Sequence, residues 1–123
     1  MYIVGKKYRF RIISAAANCP IEVFIQNHTF TVISSEGGHI EPFEADVLNL
    51  SGGERWDIVV SADQPVANYW LYARGLHDCR EKQQTAILSY EGSDSSVLPD
   101  GVEDASTVRE SYVDALLVSS QSE

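Results

Sequence analysis

Apolar and polar positions alternate along this chain in short runs, each closed by Gly, Pro, Asn or Asp. A period of two puts successive side chains on opposite faces of an extended backbone, so each run reads as a half-buried strand. The plainest is Tyr8–Ile12, with Tyr8, Phe10 and Ile12 inward and Arg9 and Arg11 outward. A connection of small residues ends in Asn18-Cys19-Pro20, and Ile21, Val23 and Ile25 form the next apolar face. Gln26-Asn27-His28 has turn composition and Phe30 and Val32 resume the alternation, which predicts a hairpin between 21–26 and 29–34. Glu36-Gly37-Gly38-His39 breaks the pattern, and a further strand follows near 45–50. Gly52–Gly75 reads as a second hairpin. Trp56, Ile58 and Val60 share one face, Ala62-Asp63-Gln64-Pro65 supplies the turn, and Tyr69, Leu71 and Ala73 share the next apolar face. A polar loop over Gly75–Gln84 leads to a last strand through Ala86, Leu88 and Tyr90. Short strands at this spacing, with no sustained 3.6-residue period, predict an all-β fold: an antiparallel two-sheet sandwich or barrel with Greek-key connections.

Composition changes the picture only after Gly92. Gly92-Ser93-Asp94-Ser95-Ser96, then Pro99-Asp100-Gly101, opens an acidic, serine-rich end of linker character. The expected division is a domain over 1–92 and a linker or tail over 93–123. Within the tail, Tyr112, Ala115 and Leu116 have a loosely helical spacing that suits either a short helix or a disordered segment. With 18 acidic and 9 basic residues the net charge is −9, which disfavours nucleic acid and anionic membrane as partners. No apolar run approaches the roughly 20 residues of a membrane span. Met1–Val4 is too short for a signal-peptide core, so any secretory signal is expected upstream.

Cys19 and Cys79 lack the spacing of zinc or thioredoxin motifs. Joined to each other, they would close a long loop and stabilise the fold by about 4 kcal/mol on the chain-entropy model. Asn27-His28-Thr29 and Asn49-Leu50-Ser51 are N-glycosylation sequons at Asn27 and Asn49. With an even cysteine count they point to an oxidising, extracellular setting.

The run GERWDIVVSADQPVANYW at 53–70 resembles the middle, second cupredoxin-like domain of multicopper oxidases, particularly laccases. GKKYRFRIIS at 5–14, NHTFTVIS at 27–34 and QTAILSYEG at 84–92 extend the resemblance over roughly 3–92. Asn18-Cys19-Pro20 and the segment Gly75–Cys79 are closest in character to arthropod-type laccases. The resemblance implies a three-domain enzyme that oxidises phenols or similar reductants one electron at a time and reduces dioxygen to water. Its copper would lie in the first and third domains, with none in this chain. The middle domain would act as a scaffold between them and supply part of the substrate-pocket wall. In fungal laccases the loop after the first strand places an acid directly before a proline. Here Cys19 precedes Pro20, which leaves Asn18 and Glu22 as the pocket candidates. Cys19 would pair with Cys79 or with a cysteine of the first domain.

The residue chemistry agrees with a copper-free chain. A blue-copper site needs two His, one Cys and usually an axial Met, and a trinuclear cluster needs His-x-His pairs. His28, His39 and His77 stand far apart, and the only Met is Met1. The expected metal and catalytic residues are therefore none, and the isolated chain is expected to be inactive. His28 and His39 read as turn residues, and Arg55 and Asp57 as members of cross-strand ion pairs. Glu36, Glu41, Glu44 and Asp46 read as a solvated acidic group. The second function class left open is a non-catalytic extracellular β-sandwich serving as a binding or adhesion module.

Overall fold

The computed structural model describes residues 1–101. The possible helix near 108–118 and most of the 93–123 tail lie outside them. Among the described residues the strands are β1 (Lys7–Ile13), β2 (Ile21–Ile25), β3 (Phe30–Ser35), β4 (Gly38–Ala45), β5 (Val47–Leu50), β6 (Arg55–Ser61), β7 (Asn68–Gly75) and β8 (Gln83–Ser89). A single 3-10 turn, His77–Cys79, lies between β7 and β8. The strands form two antiparallel sheets, ordered β1-β6-β3-β4 and β5-β2-β7-β8. This is the expected all-β two-sheet sandwich.

The alternation decides which side chains meet. Val23, Ile25, Leu48, Leu50, Tyr69 and Leu88 from the second sheet pack against Phe30, Val32, Ile58 and Val60 from the first. Tyr8, Phe10 and Ile12 of β1 lie half-buried against them. On the solvent face of the first sheet, Asp57 pairs with Arg9 and lies 3.9 Å from Arg11. These cross-strand pairs are those expected of the polar face of β6. A second cluster, Phe24, Trp70 and Tyr72 with Val47 against it, occupies the other face of the second sheet. The Phe24 and Tyr72 rings stack with centroids 4.7 Å apart.

Both expected hairpins are corrected. β2 pairs with β5 and β7, whereas β3 pairs with β4 and β6, so residues 26–29 carry the chain between sheets. Likewise β6 pairs with β1 and β3 while β7 pairs with β2 and β8, so the Ala62–Ala67 connection is a crossover. Tight two-residue hairpins rely on residues with positive φ, and 62–67 contains none. A tight hairpin forms instead at β3–β4, turned by Glu36 (φ 54°) and Gly37 (φ 81°), where the sequence pattern showed only a break. β4 escaped notice because it is an edge strand with Glu41, Pro42, Phe43 and Glu44 all exposed. An edge tolerates Pro42, since one side of the ladder is unpaired there. The strand expected near 45–50 is the short β5, and β8 begins at Gln83, inside the expected polar loop.

After β8 the chain is tied back by Asn68, at the start of β7. Its amide Nδ2 donates to the carbonyls of Asp94 (2.8 Å) and Val97 (2.7 Å), and its Oδ1 accepts from Ser93 Oγ at 2.8 Å. A buried amide that meets three partners fixes the path of the segment it binds.

Candidate functional site

A concavity lies at one end of the sandwich, where the β1–β2 and β7–β8 connections meet. The structure joins Cys19 of the first connection to Cys79 of the second, with Cα atoms 5.9 Å apart. Leu76 N donates to Pro20 O at 2.9 Å, adding a backbone tie beside the cystine. Gly75 makes this approach possible, because a Cβ built there would sit 2.2 Å from Cys79 O. Gly52 plays the same part on the neighbouring loop, 2.2 Å from Ala16 O.

Beside the cystine is a cleft of about 370 Å³ lined by Ala16, Cys19, Ile21, Ala73, Lys82 and Gln84 among others. Its apolar lining, Ile21 and Ala73, is half-buried, while Glu81, Lys82, Gln83 and Gln84 beside it are exposed. Of the two pocket candidates, Asn18 is exposed on the rim loop next to Cys19. Glu22 is 3% exposed and turned to the face opposite Ile21, in register with Asn49 and Arg74. Neither lines the cleft. Asn27, with φ 58°, and Asn49, on the edge strand β5, both occupy exposed positions.

The three histidines are kept apart. His39 is exposed on β4 and His77 opens the exposed 3-10 turn. His28 closes the expected turn, its backbone N–H donating to Ile25 O at 3.2 Å, but its side chain is buried, 3% exposed. Its Nδ1 lies 2.6 Å from Gln26 O and its Nε2 2.6 Å from the hydroxyl of Tyr90. Alternation alone could not have found this pair, since the partners are 62 positions apart. Both cysteine sulfurs are joined in the cystine and so offer no thiolate for copper, and both His28 nitrogens already have partners. Among the described residues no three His, Cys, Asp or Glu side chains stand together as a metal-binding group. Glu36 of the acidic group is paired with Arg55 at 2.7 Å. Among the described residues no helix is long and apolar enough to cross a membrane.

The architecture is that of a cupredoxin-like β-sandwich, and comparison with known proteins carries the assignment further. The family model described as multicopper oxidase matches residues 3–93. Laccase-2 of Oryza sativa subsp. japonica is 37% identical over 99 residues, covering 77% of this chain and 18% of the relative. Laccase-3 of Botryotinia fuckeliana is 33% identical over 96 residues, covering 75% and 21%. The crystal structure of the laccase from Botrytis aclada superimposes with a TM-score of 0.68 at 31% identity, over 85% of this chain and 20% of that one. The chain belongs to the multicopper oxidase family. It spans about a fifth of the length of the relatives it matches.

Proposed function

We propose that this chain is the middle domain of a secreted, three-domain, laccase-type multicopper oxidase, nearest in character to the arthropod type. In that setting residues 1–92 form the domain and 93–123 the linker toward the third domain. The enzyme oxidises phenols or similar reductants one electron at a time with reduction of dioxygen to water. Copper belongs to the first and third domains of the same polypeptide, and this domain holds them in register. The disulfide-tied end faces the reducing substrate, with exposed Asn18 on the pocket side and Glu22, buried on the opposite face of β2, as the second pocket candidate. Asn27 and Asn49 are the glycosylation sites of the extracellular product.

The observation that supports this reading best is a family match running through a domain whose two cysteines are already committed. Cys19 and Cys79 are spent on each other, and His28 is locked inside the core. A scaffold can tolerate that use of its cysteines, whereas a blue-copper domain needs a free thiolate. Copper added to the isolated chain is expected to give no blue absorbance band and no phenol oxidation, and a blue band would defeat the reading. The flanking transcript supplies the second check. His-x-His pairs upstream and a His-Cys-His cluster downstream are expected, while a transcript confined to this segment would leave a binding module instead.

A further inference from the structure

The Tyr90–His28 pair lies outside the proposed scaffold role. We propose that Tyr90 is a redox-active tyrosine, giving one electron to a strong one-electron oxidant while its phenolic proton passes along the existing hydrogen bond to Nε2 of His28. Tyr90 is 0% exposed, and its hydroxyl lies 2.6 Å from that nitrogen. The direction of this bond follows from the far side of the ring. Nδ1 faces Gln26 O at 2.6 Å, and a carbonyl can only accept, so Nδ1 carries a proton, and in the neutral ring it is the only one. Nε2 therefore offers its lone pair, and the phenol is the donor. A base is already seated at the proton that must leave.

Oxidation of a buried phenol without proton loss would strand a positive charge on the ring, far from water, at a cost of several kcal/mol or more. Transfer to His28 moves that charge from the ring onto the far more basic imidazole, which already has a carbonyl partner at Nδ1. The Tyr90 O–H bond breaks, an N–H bond forms at Nε2, and the electron goes to the oxidant. The products are a neutral phenoxyl radical, an imidazolium and the reduced oxidant, and return of one electron reverses every change. The imidazolium is held by its Nδ1–H bond to Gln26 O, and the phenoxyl oxygen keeps the Gln64 N–H at 3.3 Å. Burial, with Tyr69 and Asp63 adding to it against the Gln64 amide, pushes the Tyr90 ionisation up. Tyr90 therefore meets the oxidant as the neutral phenol, and the proton must leave with the electron.

Tyr69 provides an internal contrast. Its ring is 5.2 Å from that of Tyr90 and is also buried, but its hydroxyl lies 2.6 Å from Pro65 O. A carbonyl does not take a proton at ordinary acidity, so Tyr69 lacks the acceptor that Tyr90 has. Burial of both rings does not distinguish them, whereas the hydrogen-bond partner does.

The test uses the full chain with a photogenerated ruthenium(III) polypyridyl complex as the oxidant, so the outcome is independent of the domain assignment. A ring-fluorinated tyrosine placed at position 90 alone is nearly isosteric and leaves the core packed. Electron paramagnetic resonance of the trapped radical is expected to show fluorine hyperfine coupling, and a tyrosyl signal without it overturns the proposal. His28→Phe keeps a ring in the cavity and removes the base. It is expected to slow Tyr90 oxidation on the order of 100-fold, the low end of what a positioned base contributes. An unchanged rate in a variant with native near-ultraviolet dichroism overturns the role of His28. Should His28→Phe fail to fold, the unmodified chain in deuterated solvent decides the point. A slower oxidation supports the coupled proton transfer, and an unchanged rate refutes it.

Discussion

Glu36 holds Arg55 by both side chain and backbone. Its carboxylate lies 2.7 Å from the guanidinium and accepts Arg55 N–H at 3.0 Å, while Glu36 N donates to Arg55 O at 2.8 Å. The β3–β4 turn is thereby fastened to β6, although Glu36 itself sits at a positive φ of 54° that a non-glycine residue adopts at a cost.

Replacing Glu36 with Ala removes the carboxylate and keeps the unfavourable φ. Both charged groups are about half exposed, so the ion pair itself contributes little, and most of the loss comes from the backbone N–H it caps. Urea denaturation is expected to show a loss of about 1 kcal/mol.

The cystine should contribute far more than any surface pair. It joins residues separated by 60 positions, and double replacement of Cys19 and Cys79 by Ser is expected to cost about 4 kcal/mol on the chain-entropy model. Denaturant titration of the two proteins checks it, and equal midpoints would show that the backbone tie at Pro20 suffices.

Two glycines should fail for different reasons. Gly75→Ala drives a methyl against Cys79 O, so its cost, roughly 1–3 kcal/mol or more, arises from overpacking against backbone and should also loosen the cystine loop. Gly53→Ala meets open space but keeps φ at 80°, so it should lose about 1 kcal/mol, and Asn at position 53 should recover part of that. Thermal melts of the three variants would separate the two causes.

Asp94 is held below the usual carboxyl range, first by the Ser96 hydroxyl at 2.6 Å and then by the Ser96 N–H at 2.9 Å. A carboxyl with a depressed folded value contributes its stability in full above the unfolded value and loses it as pH falls through the folded one. Ser96→Ala should move the Asp94 titration, followed by carboxyl carbon resonance, upward toward the ordinary value. No movement would assign the shift to another group.

Much of this fold is legible in the alternation, and what is hidden has physical causes. β1 stands out because Arg9 and Arg11 face water while Phe10 and Ile12 face the core. β7 gives no such contrast, since Tyr69, Trp70 and Tyr72 are buried on both faces. Sheet membership is a different matter: Ala62–Pro65 shows that the chain turns, but whether β7 pairs with β6 depends on which strand edges β1 and β3 have taken. At the disulfide-tied end, the two cysteines are evident from composition. The cleft floor of Ile21 and Ala73 is not, because their cleft contacts come only from closure of distant loops. The turn at His28 is legible, but the burial of its ring is not, because that is decided by Tyr90, 62 positions away.

The crossovers also govern how the chain acquires its structure during synthesis. Only β3–β4 and β7–β8 are neighbours both in sequence and in a ladder among the described strands. β1 must wait for β6, pairing Lys7 with Ser61, and β2 must wait first for β5 and then for β7. At about 5–20 residues per second the ribosome leaves those early apolar stripes unsheltered for seconds. Those stripes stay open to non-native contacts until the later half of the chain emerges.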